Sequence, residues 1–321
     1  MAVLVAGVGY IGAALTADLL RAGERVVGLD NGFATDPTVL GALARQGKFS
    51  LVEGSIASPR HVARAFARGP FSVVYLLAAQ ASAHPRAAPP RYTEVTNLTG
   101  PRVLLDAAVR HGVRRVVYAS SMRVYGRQLP PVVDEATPYG PQSDLVHLSQ
   151  IYGEKLLELY ACRAGLVGIA VRLGIVYGCG PLMKTDYRFM TVPNKYCLQA
   201  VRGEPLEIHP EATAPLPFIH LADACAALQA AAGAPWPAGF HAANAVGEVC
   251  PVATVAAAVA QAAAARGLAV TVHPPAPAAA APAVRVQSRL SALGWRPTRA
   301  LAESLGAVLD YFQAREAGCG C

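Results

Sequence analysis

The first half of the chain alternates short apolar runs with longer segments whose apolar positions recur every three to four residues. Apolar runs of four to eight residues predict β-strands, whereas the longer period predicts helices with one buried face. Predicted strands occupy residues 3–7, 25–30, 72–79 and 114–121, and predicted helices occupy residues 11–22, 59–68 and 99–111. Because strands and helices alternate, the pattern predicts an α/β fold with a doubly wound parallel sheet.

The second half of the chain is less regular. A helix is predicted at 146–164 and a strand at 167–178, then a proline- and alanine-rich tract lies at 273–283 and a last helix at 299–315. These segments fit a smaller mixed α/β lobe at the carboxyl edge of the sheet, where open α/β sheets bind ligands. We therefore expect a sheet domain and a smaller lobe, with the sheet domain at 1–173 and 218–245 and the lobe at 174–217 and 246–321.

Composition narrows the class of protein. The chain has 321 residues and a mean hydropathy of +0.33, but proline, glycine, glutamine or histidine interrupts its long apolar stretches, so no membrane span is predicted. The opening apolar run lacks a basic region before it and a small-residue cleavage site after it, which favours a first strand over a signal peptide. We expect a cytoplasmic protein that does not bind a membrane.

Cysteine use and charge exclude further classes. The cysteines are odd in number and form no C-x-x-C pair, which argues against a disulfide framework and a zinc site, so no metal is expected. They lie at positions 162, 179, 197, 225, 250, 319 and 321, and no role is assigned to Cys319 or Cys321. The net charge is +7, but the arginines form no dense cluster. We expect an anionic small-molecule ligand and no nucleic acid.

A glycine motif directly follows the first predicted strand and directly precedes the first predicted helix. In Gly7-Val8-Gly9-Tyr10-Ile11-Gly12, the three glycines would permit a tight turn, close approach of a pyrophosphate and close packing of helix on strand. Asp30 ends the second strand, where a carboxylate binds ribose hydroxyls and repels a 2′-phosphate, so NAD is predicted over NADP. The alternative is a glycine-rich turn that binds nothing. The predicted NAD contacts are Gly7, Gly9, Tyr10, Ile11, Gly12, Asp30, Asn31 and Gly32.

Further motifs carry a resemblance to a known family. They are VVYLLAAQ at 73–80, YASSMRVYG at 118–126, RLGIVYG at 172–178, FIHLAD at 218–223 and LGWRP at 293–297. With the glycine motif, they resemble the extended short-chain dehydrogenase/reductases, the family of NAD-dependent nucleotide-sugar epimerases and dehydratases. The resemblance implies a Rossmann-type sheet domain that binds NAD, a lobe that binds a UDP-sugar, and a homodimer formed through the helices near 99–111 and 146–164.

The resemblance also implies individual contacts. Ser121 stands where the family has the serine or threonine that hydrogen-bonds the sugar hydroxyl being oxidised. Further NAD contacts are implied at Ser55, Ile56, Leu77, Ala78, Ala79, Gln80, Asn97 and Gln150. Implied substrate contacts are Ser120, Ser121, Lys184, Tyr187, Arg188, Thr191, Val192, Lys195, Ile208, His209 and Arg285. Among these, the cations Arg188, Lys195 and Arg285 would face the diphosphate; the alternative for all three is solvated surface charge.

The chain departs from the family at its acid-base groups. Family members carry a Y-x-x-x-K motif in which the tyrosine takes the hydroxyl proton and the lysine lowers its pKa and holds the ribose. Alignment puts Val146 at the tyrosine and Gln150 at the lysine. Tyr152 and Lys155 lie one turn too late and only three residues apart, so we expect an ordinary helical tyrosine and a solvated lysine. Both usual groups are therefore missing.

Other side chains are candidates for the missing base. They are His147, Tyr139, Cys179, Lys184 and Tyr187, each of which could equally be structural. Met122 and Arg123 replace the aspartate and glutamate of the 4,6-dehydratases, and Arg123 would either stabilise an oxyanion or lie at the surface. The predicted catalytic residues are Ser121, Met122, Arg123, His147 and Cys179.

Three reactions can follow oxidation of a sugar at C4. Return of the hydride to the opposite face gives a 4-epimer, elimination with hydride delivered to C6 gives a 4-keto-6-deoxy sugar, and elimination with hydride returned to C4 gives a 5,6-ene. Met122 and Arg123 argue against the second. The SSMRVYG segment at 120–126 is also similar to nucleotide-sugar 5,6-dehydratases, and this resemblance implies a redox-neutral UDP-N-acetylglucosamine 5,6-dehydratase in natural-product biosynthesis as the function. A UDP-sugar 4-epimerase is the alternative enzyme, and a catalytically inactive NAD-binding scaffold is the alternative of another class.

Overall fold

The computed structural model describes residues 1–33, 35–45, 47–84, 86–209, 212, 214–273 and 283–318. Cys319, Cys321 and nearly all of the tract at 273–283 lie outside the described residues. Within them the strands are β1 (Ala2–Ala6), β2 (Val26–Asp30), β3 (Phe49–Glu53), β4 (Phe71–Leu76), β5 (Arg115–Ser121), β6 (Val132–Val133), β7 (Val167–Leu173), β8 (Ile175–Tyr177), β9 (Leu206–Glu207), β10 (Leu216–His220), β11 (Gly239–Ala245), β12 (Glu248–Cys250), β13 (Val272–His273) and β14 (Arg285–Val286).

The helices have the following bounds in the same residues. They are α1 (Tyr10–Arg21), α2 (Pro37–Ala44), α3 (Pro59–Phe66), α4 (Pro90–Glu94), α5 (Gly100–Arg110), α6 (Leu145–Ala164), α7 (Val192–Val201), α8 (Leu221–Gly233), α9 (Val252–Ala264), α10 (Arg289–Ala292) and α11 (Leu301–Gly318). A π-helical turn at Val95–Thr99 joins α4 to α5, and short 3-10 turns lie at Met122–Tyr125 and Tyr187–Phe189.

Seven of these strands form one parallel sheet in the order β3-β2-β1-β4-β5-β7-β11. Helices α1, α2 and α8 cover one face, and α3, α5 and α6 cover the other. Burial on both faces explains why the central strands are almost continuously apolar; every residue of β1 is buried. The predicted α/β fold with a doubly wound parallel sheet is confirmed.

The strand order reverses direction between β1 and β4. From β1 the chain moves outward to β2 and β3, then crosses back to β4 and continues to the opposite edge. Helices that follow two neighbouring strands to opposite sides leave a crevice at the carboxyl ends of those strands. The glycine motif follows β1 and the turn at residues 77–80 follows β4, so both lie at this crevice.

A smaller lobe lies beyond the sheet. Its three-stranded sheet has the order β12-β10-β8, and α7, α9 and α11 pack around a second apolar core that contains Phe218 and Phe312. The expected boundary at residue 218 cuts through β10. The segment that contains Leu290 and Trp295 packs in the core beneath the central sheet rather than in the lobe.

Helix α6 carries exposed apolar side chains along one stripe. Leu148, Tyr152 and Leu159 are 53%, 38% and 40% exposed. Their spacing of four and then seven residues places them on the same side of the helix. Lys155 on the next turn pairs with Glu158 at 2.8 Å.

The described residues carry neither a membrane span nor a metal cluster. None of their helices is long and apolar enough to cross a membrane. No group of three or more His, Cys, Asp or Glu side chains there could hold a metal ion. The described cysteines are free thiols at positions 162, 179, 197, 225 and 250.

Candidate functional site

The turn after β1 is too crowded for side chains. A Cβ on Gly7, whose φ is +97°, would lie 2.4 Å from the Ala78 backbone nitrogen, and a Cβ on Gly12 would lie 1.9 Å from the Gly7 carbonyl oxygen. Around Gly9 a Cβ would meet nothing within 4 Å. Gly9 is also the N-cap of α1 and supplies no side-chain cap, so the first amides of the helix are left for an anionic ligand.

Asp30 ties this turn to the end of β2. Its Oδ2 accepts from the Val8 backbone N–H at 2.7 Å, and its Oδ1 accepts from the Gly32 N–H at 2.8 Å and from Thr35 Oγ1 at 3.0 Å. The carboxylate is therefore fixed in direction beside the glycine turn. An acceptor held in this way suits the hydroxyls of a ribose.

A cavity of about 630 Å³ lies between the sheet edge and the lobe. A cavity of this volume can hold half of a dinucleotide together with part of a second ligand. Of the predicted site residues, those that line it are Gly7, Gly9, Tyr10, Ile11, Gly12, Asp30, Asn31, Ser55, Ile56, Leu77, Ala78, Ala79, Ser120, Ser121, Arg123, His147, Gln150, Lys184, Thr191 and Val192.

Asn97 and Gln80 contact each other just outside the cavity lining. The Asn97 side chain, in the π-helical turn, donates to the Gln80 carbonyl at 2.9 Å and accepts from the Gln80 N–H at 2.8 Å. It also donates to Ser149 Oγ at 2.9 Å. These bonds join the turn after β4 to α6. The lining does not include Asn97, Gln80 or Gly32, whose N–H is taken by Asp30.

Ser121 ends β5 at the cavity. Its Oγ accepts from the Arg123 N–H at 3.1 Å and so caps the following 3-10 turn. The turn sends Arg123 to the cavity and Met122 into the interior, where it packs with Val124 and Val133. Met122, predicted as catalytic, is 1% exposed and does not line the cavity.

Val146 and Gln150, the positions that the alignment gives to the family's tyrosine and lysine, both line the cavity. Gln150 Oε1 accepts from the Tyr118 hydroxyl at 2.7 Å, and burial raises the pKa of Tyr118, so the phenol remains a donor. The amide oxygen is thereby used, which leaves the Gln150 NH₂ for the cavity. A Cβ at position 153 would lie 2.6 Å from the Tyr118 hydroxyl, so Gly153 makes room for it.

A histidine and a carboxylate stand beside Val146. Asp144 is the N-cap of α6; its Oδ1 accepts from the His147 N–H at 2.9 Å and its Oδ2 lies 2.6 Å from His147 Nδ1. Although burial opposes it, the hydrogen bonds from His147 hold the pKa of the Asp144 carboxyl below its usual value. With Nδ1 directed to Asp144, Nε2 is the ring nitrogen left for a ligand.

Several other candidate bases have different roles. Cys179 lies outside the cavity lining, its Sγ is 3.2 Å from the Ala307 carbonyl, and burial raises the pKa of its thiol to about 11, so it is neutral at pH 7. The Tyr139 hydroxyl donates to Glu154 Oε2 at 2.9 Å. Burial raises the pKa of the Tyr139 phenol, and the negative charge of Glu154 raises it further. The Tyr187 hydroxyl donates to Glu204 at 2.9 Å. The structure therefore contradicts Cys179, Tyr139 and Tyr187 as the base.

The predicted diphosphate partners are also displaced from the cavity lining. Arg188 forms an ion pair with Asp186 at 2.5 Å, and the Lys195 ammonium lies 5.9 Å from the centroid of the Tyr187 ring. Arg285 is in β14, where its backbone N–H donates to the Pro131 carbonyl in a segment away from the lobe. Ile208 is buried in the core of the lobe, and His209 next to it does not line the cavity. Lys184 is the predicted lobe cation that does line it.

Three aromatic rings that the sequence reasoning missed also line the cavity. Phe33 stacks on Tyr92 with ring centroids 4.2 Å apart and meets the edge of Phe189 at 6.1 Å. Phe33 follows β2, Tyr92 is in α4 and Phe189 is in the lobe. No motif marks them, because the contact joins three segments distant in sequence.

The sequence that forms this site matches the model of a known protein family. The model of the NAD dependent epimerase/dehydratase family matches residues 3–238. The chain belongs to this family. Its members are NAD-dependent epimerases and dehydratases, and the glycine turn, the uncapped α1 and Asp30 fit NAD as the cofactor.

Curated relatives match over part of their length. A Bacillus subtilis UDP-glucose 4-epimerase is 31% identical over 144 residues, which are 44% of this chain and 42% of the relative. An Arabidopsis thaliana UDP-glucuronate 4-epimerase is 32% identical over 196 residues, 59% of this chain and 45% of the relative. The matched part thus spans about half the length of these relatives.

Solved structures match over nearly the whole chain. The Thermus thermophilus UDP-glucose 4-epimerase in complex with NAD has a TM-score of 0.82 at 26% identity and covers 98% of this chain and 99% of its own. MoeE5 in complex with UDP-glucuronic acid and NAD has a TM-score of 0.80 at 27% identity and covers 98% and 100%.

The fixed position of the Asp30 carboxylate predicts what its removal does to cofactor binding. We expect Asp30→Ala to weaken NAD binding by about 1.5 to 3 kcal/mol, the range for a hydrogen bond to a charged group, and to reduce the preference for NAD over NADP. Titration calorimetry of both dinucleotides measures this. Asp36→Ala is the control, because Asp36 caps α2 outside the cavity lining. Equal affinity of the unaltered protein for NAD and NADP would contradict the role given to Asp30.

Proposed function

We propose that the protein catalyses a redox-neutral reaction on a UDP-sugar in which C4 is oxidised and then reduced, and that 4-epimerisation is the outcome. The observation that carries the proposal is that Ser121 and His147, whose ring nitrogen Nδ1 contacts Asp144, line the same cavity as the glycine turn. A hydroxyl that binds O4 and a base that takes its proton would then stand beside the cofactor site. In this proposal residues 1–173 and 218–245 hold NAD and the lobe holds the UDP half.

The residues of the chain have distinct tasks in this mechanism. Bound NAD supplies the acceptor and later the donor of the hydride. The Ser121 hydroxyl hydrogen-bonds O4, while His147 Nε2 takes the O4 proton and returns it when C4 is reduced. Asp144 keeps the ring in the required direction and stabilises the imidazolium. The Gln150 amide donates to a hydroxyl where the family uses a lysine.

The acid content of the cavity favours epimerisation over elimination. Departure of a C6 hydroxyl needs a proton donor, and a carboxylic acid is the usual group. Among the described side chains that line the cavity, Asp30 is the one carboxylate, and it lies beside the glycine turn. Epimerisation needs no acid at C6. The UDP-glucose 4-epimerases among the similar proteins support the same choice.

A 5,6-dehydratase of UDP-N-acetylglucosamine, the function expected from the sequence, is the second candidate. Arg123 favours it, because a guanidinium next to Ser121 would stabilise an enolate formed at C4. The SSMRVYG strand is also similar to the 5,6-dehydratase of tunicamycin-type antibiotic biosynthesis. His147 would then also remove the C5 proton.

An isotope experiment tests these candidates. UDP-glucose, UDP-N-acetylglucosamine and UDP-glucuronate, each deuterated at C4, are incubated with the NAD-loaded protein. We expect the label to remain at C4 of a product with unchanged mass and inverted C4, measured by mass spectrometry and NMR. Ser121→Ala should lower kcat by roughly 10² to 10³, since it removes a hydrogen bond to O4. Loss of one water with the label at C4 would select the dehydratase instead, and no turnover despite tight binding would select the scaffold.

The proposed base has its own test. His147→Gln should lower kcat by roughly 10² to 10⁴, the range for general-base catalysis, with little change in NAD affinity. Asp144→Asn should also lower kcat. Asparagine has a single oxygen, so when that oxygen keeps the N-cap bond to the His147 N–H, the NH₂ group faces Nδ1 and imposes the wrong tautomer. Wild-type kcat in His147→Gln would refute the assignment. His111→Gln is the matched control, since His111 follows α5 against Phe66, away from the cavity lining.

We further propose that a second copy of the chain covers the exposed stripe on α6. A homodimer would bury Leu148, Tyr152 and Leu159, which a lone chain leaves in water. Light scattering at micromolar concentration should give twice the 33.4 kDa mass of one chain, and Tyr152→Glu should give the single mass. Leu293→Glu, at a 40% exposed position away from α6, should stay dimeric. A monomeric unaltered protein would exclude this arrangement.

A further inference from the structure

Two cations line the cavity without forming an ion pair to any described residue. Arg123 faces it from the end of β5 and Lys184 faces it from the lobe. Within the described residues, neither side chain makes a hydrogen bond or an ion pair, although Lys184 Nζ lies 5.7 Å from the Phe189 ring centroid. Neighbouring cations are neutralised: Arg172 pairs with Glu154 and Arg188 with Asp186.

The groups around Arg123 do not neutralise it. Asp144 acts on Arg123 through its charge, but the hydrogen bonds that its two oxygens accept come from His147 and it forms no ion pair with Arg123. Arg127, which is exposed, adds positive charge. Burial of the Arg123 guanidinium lowers its pKa, and the positive charge of Arg127 lowers it further. The negative charge of Asp144 has the opposite, smaller effect. A partly buried charge in this state costs free energy until an anion reaches it.

The two cations serve different parts of one ligand. Lys184 belongs to the lobe segment between β8 and α7, on the side given to the UDP half, and burial lowers the pKa of its ammonium. A point charge on a flexible stem suits a diphosphate. Arg123 follows Ser121 by two residues at the reacting end. With a diphosphate at Lys184, the sugar is the part of the ligand that reaches Arg123, and an anionic group on the sugar would pair with the guanidinium.

We infer that the substrate is a UDP-hexuronic acid and that Arg123 determines this specificity by binding its carboxylate. The inference rests on the proposed function, which puts O4 at Ser121. The C5 carboxylate of a hexuronic acid is next to C4, so it falls beside the residues that follow Ser121. A guanidinium matches the two oxygens of a carboxylate with two parallel N–H donors. A neutral CH₂OH at the same place would leave Arg123 unpaired.

This substrate class also excludes the 5,6-ene as the product. A hexuronic acid has no hydroxyl at C6, so it has no group to eliminate in forming a 5,6-ene. A ketone at C4 is β to the C6 carboxylate, so loss of CO₂ competes with reduction. The ion pair with Arg123 would hold the carboxylate in place until the hydride that left C4 returns to it, and atoms and electrons then balance. Both features of the cavity, Arg123 and the lack of an acid near Ser121 among the described lining residues, are then explained by one ligand.

The experiment compares UDP, UDP-glucose and UDP-glucuronate, which differ only at the sugar and its C6 group, on the NAD-loaded full chain. Titration calorimetry should show UDP-glucuronate binding at least about 10-fold more tightly than UDP-glucose. Arg123→Gln should weaken UDP-glucuronate by roughly 10- to 100-fold and leave UDP-glucose nearly unchanged. Lys184→Gln should weaken all three ligands alike. Arg127→Gln, which removes a neighbouring charge outside the cavity lining, should change none of them.

Several results would overturn the inference. Equal affinities for UDP-glucuronate and UDP-glucose would remove it while leaving the proposed function intact, whereas failure of every UDP ligand to bind would remove the proposed function itself. If Arg123→Gln lowered kcat for both sugars at unchanged KM, Arg123 would act on an oxyanion and not on a carboxylate. Arg123→Lys should recover part of the lost UDP-glucuronate affinity, and thermal unfolding of both variants verifies that they are folded.

Discussion

The reacting end of the cavity depends on one buried ion pair. The fully buried carboxylate of Glu154 accepts from Arg172 Nη2 at 2.7 Å, from Ser120 Oγ at 2.5 Å and from the Tyr139 hydroxyl at 2.9 Å. Arg172 in turn donates to the Tyr125 hydroxyl at 2.6 Å. The network joins α6 to β5, β7 and the turn after β5, so it fixes the position of Ser121 relative to the face of α6 that carries His147 and Gln150. Loss of one partner from such a pair costs about 3–5 kcal/mol, because the other charge remains buried and unpaired.

Local pattern was sufficient for the centre of the sheet domain, but it did not predict helix α2 or the two edge strands β3 and β11. Apolar runs of strand length alternate with helical periods there, and the glycine motif has the context of strand, turn and helix that it needs, so the fold and the turn around Gly7 and Gly12 were predictable. Period alone could not show that the predicted strand at 167–178 is divided. Gly174 separates β7, which joins the central sheet, from β8, which joins the lobe. The direction of a chain after a strand ends depends on tertiary contacts that spacing does not encode.

The catalytic positions were less predictable for the same reason. Met122 and Arg123 are adjacent in sequence, yet the 3-10 turn capped by Ser121 turns one inward and the other to the cavity. Arg188 has the charge expected of a phosphate partner but is held by Asp186, two residues away. The substitutions at Val146 and Gln150 were visible in the sequence, whereas the orientation of the Gln150 amide depends on Tyr118, which only the folded chain brings within 2.7 Å.

The contact of Phe33 with Tyr92 and Phe189 bridges the sheet domain and the lobe across the cavity. Aromatic pairs of this kind contribute roughly 0.5–1.5 kcal/mol each beyond the area that they bury, so these contacts favour a closed cavity. An enzyme that exchanges its cofactor in each cycle would work against this closure. The redox-neutral reaction proposed above would reuse one bound molecule, so its output would not follow fluctuations in the balance of oxidised and reduced dinucleotide in its surroundings.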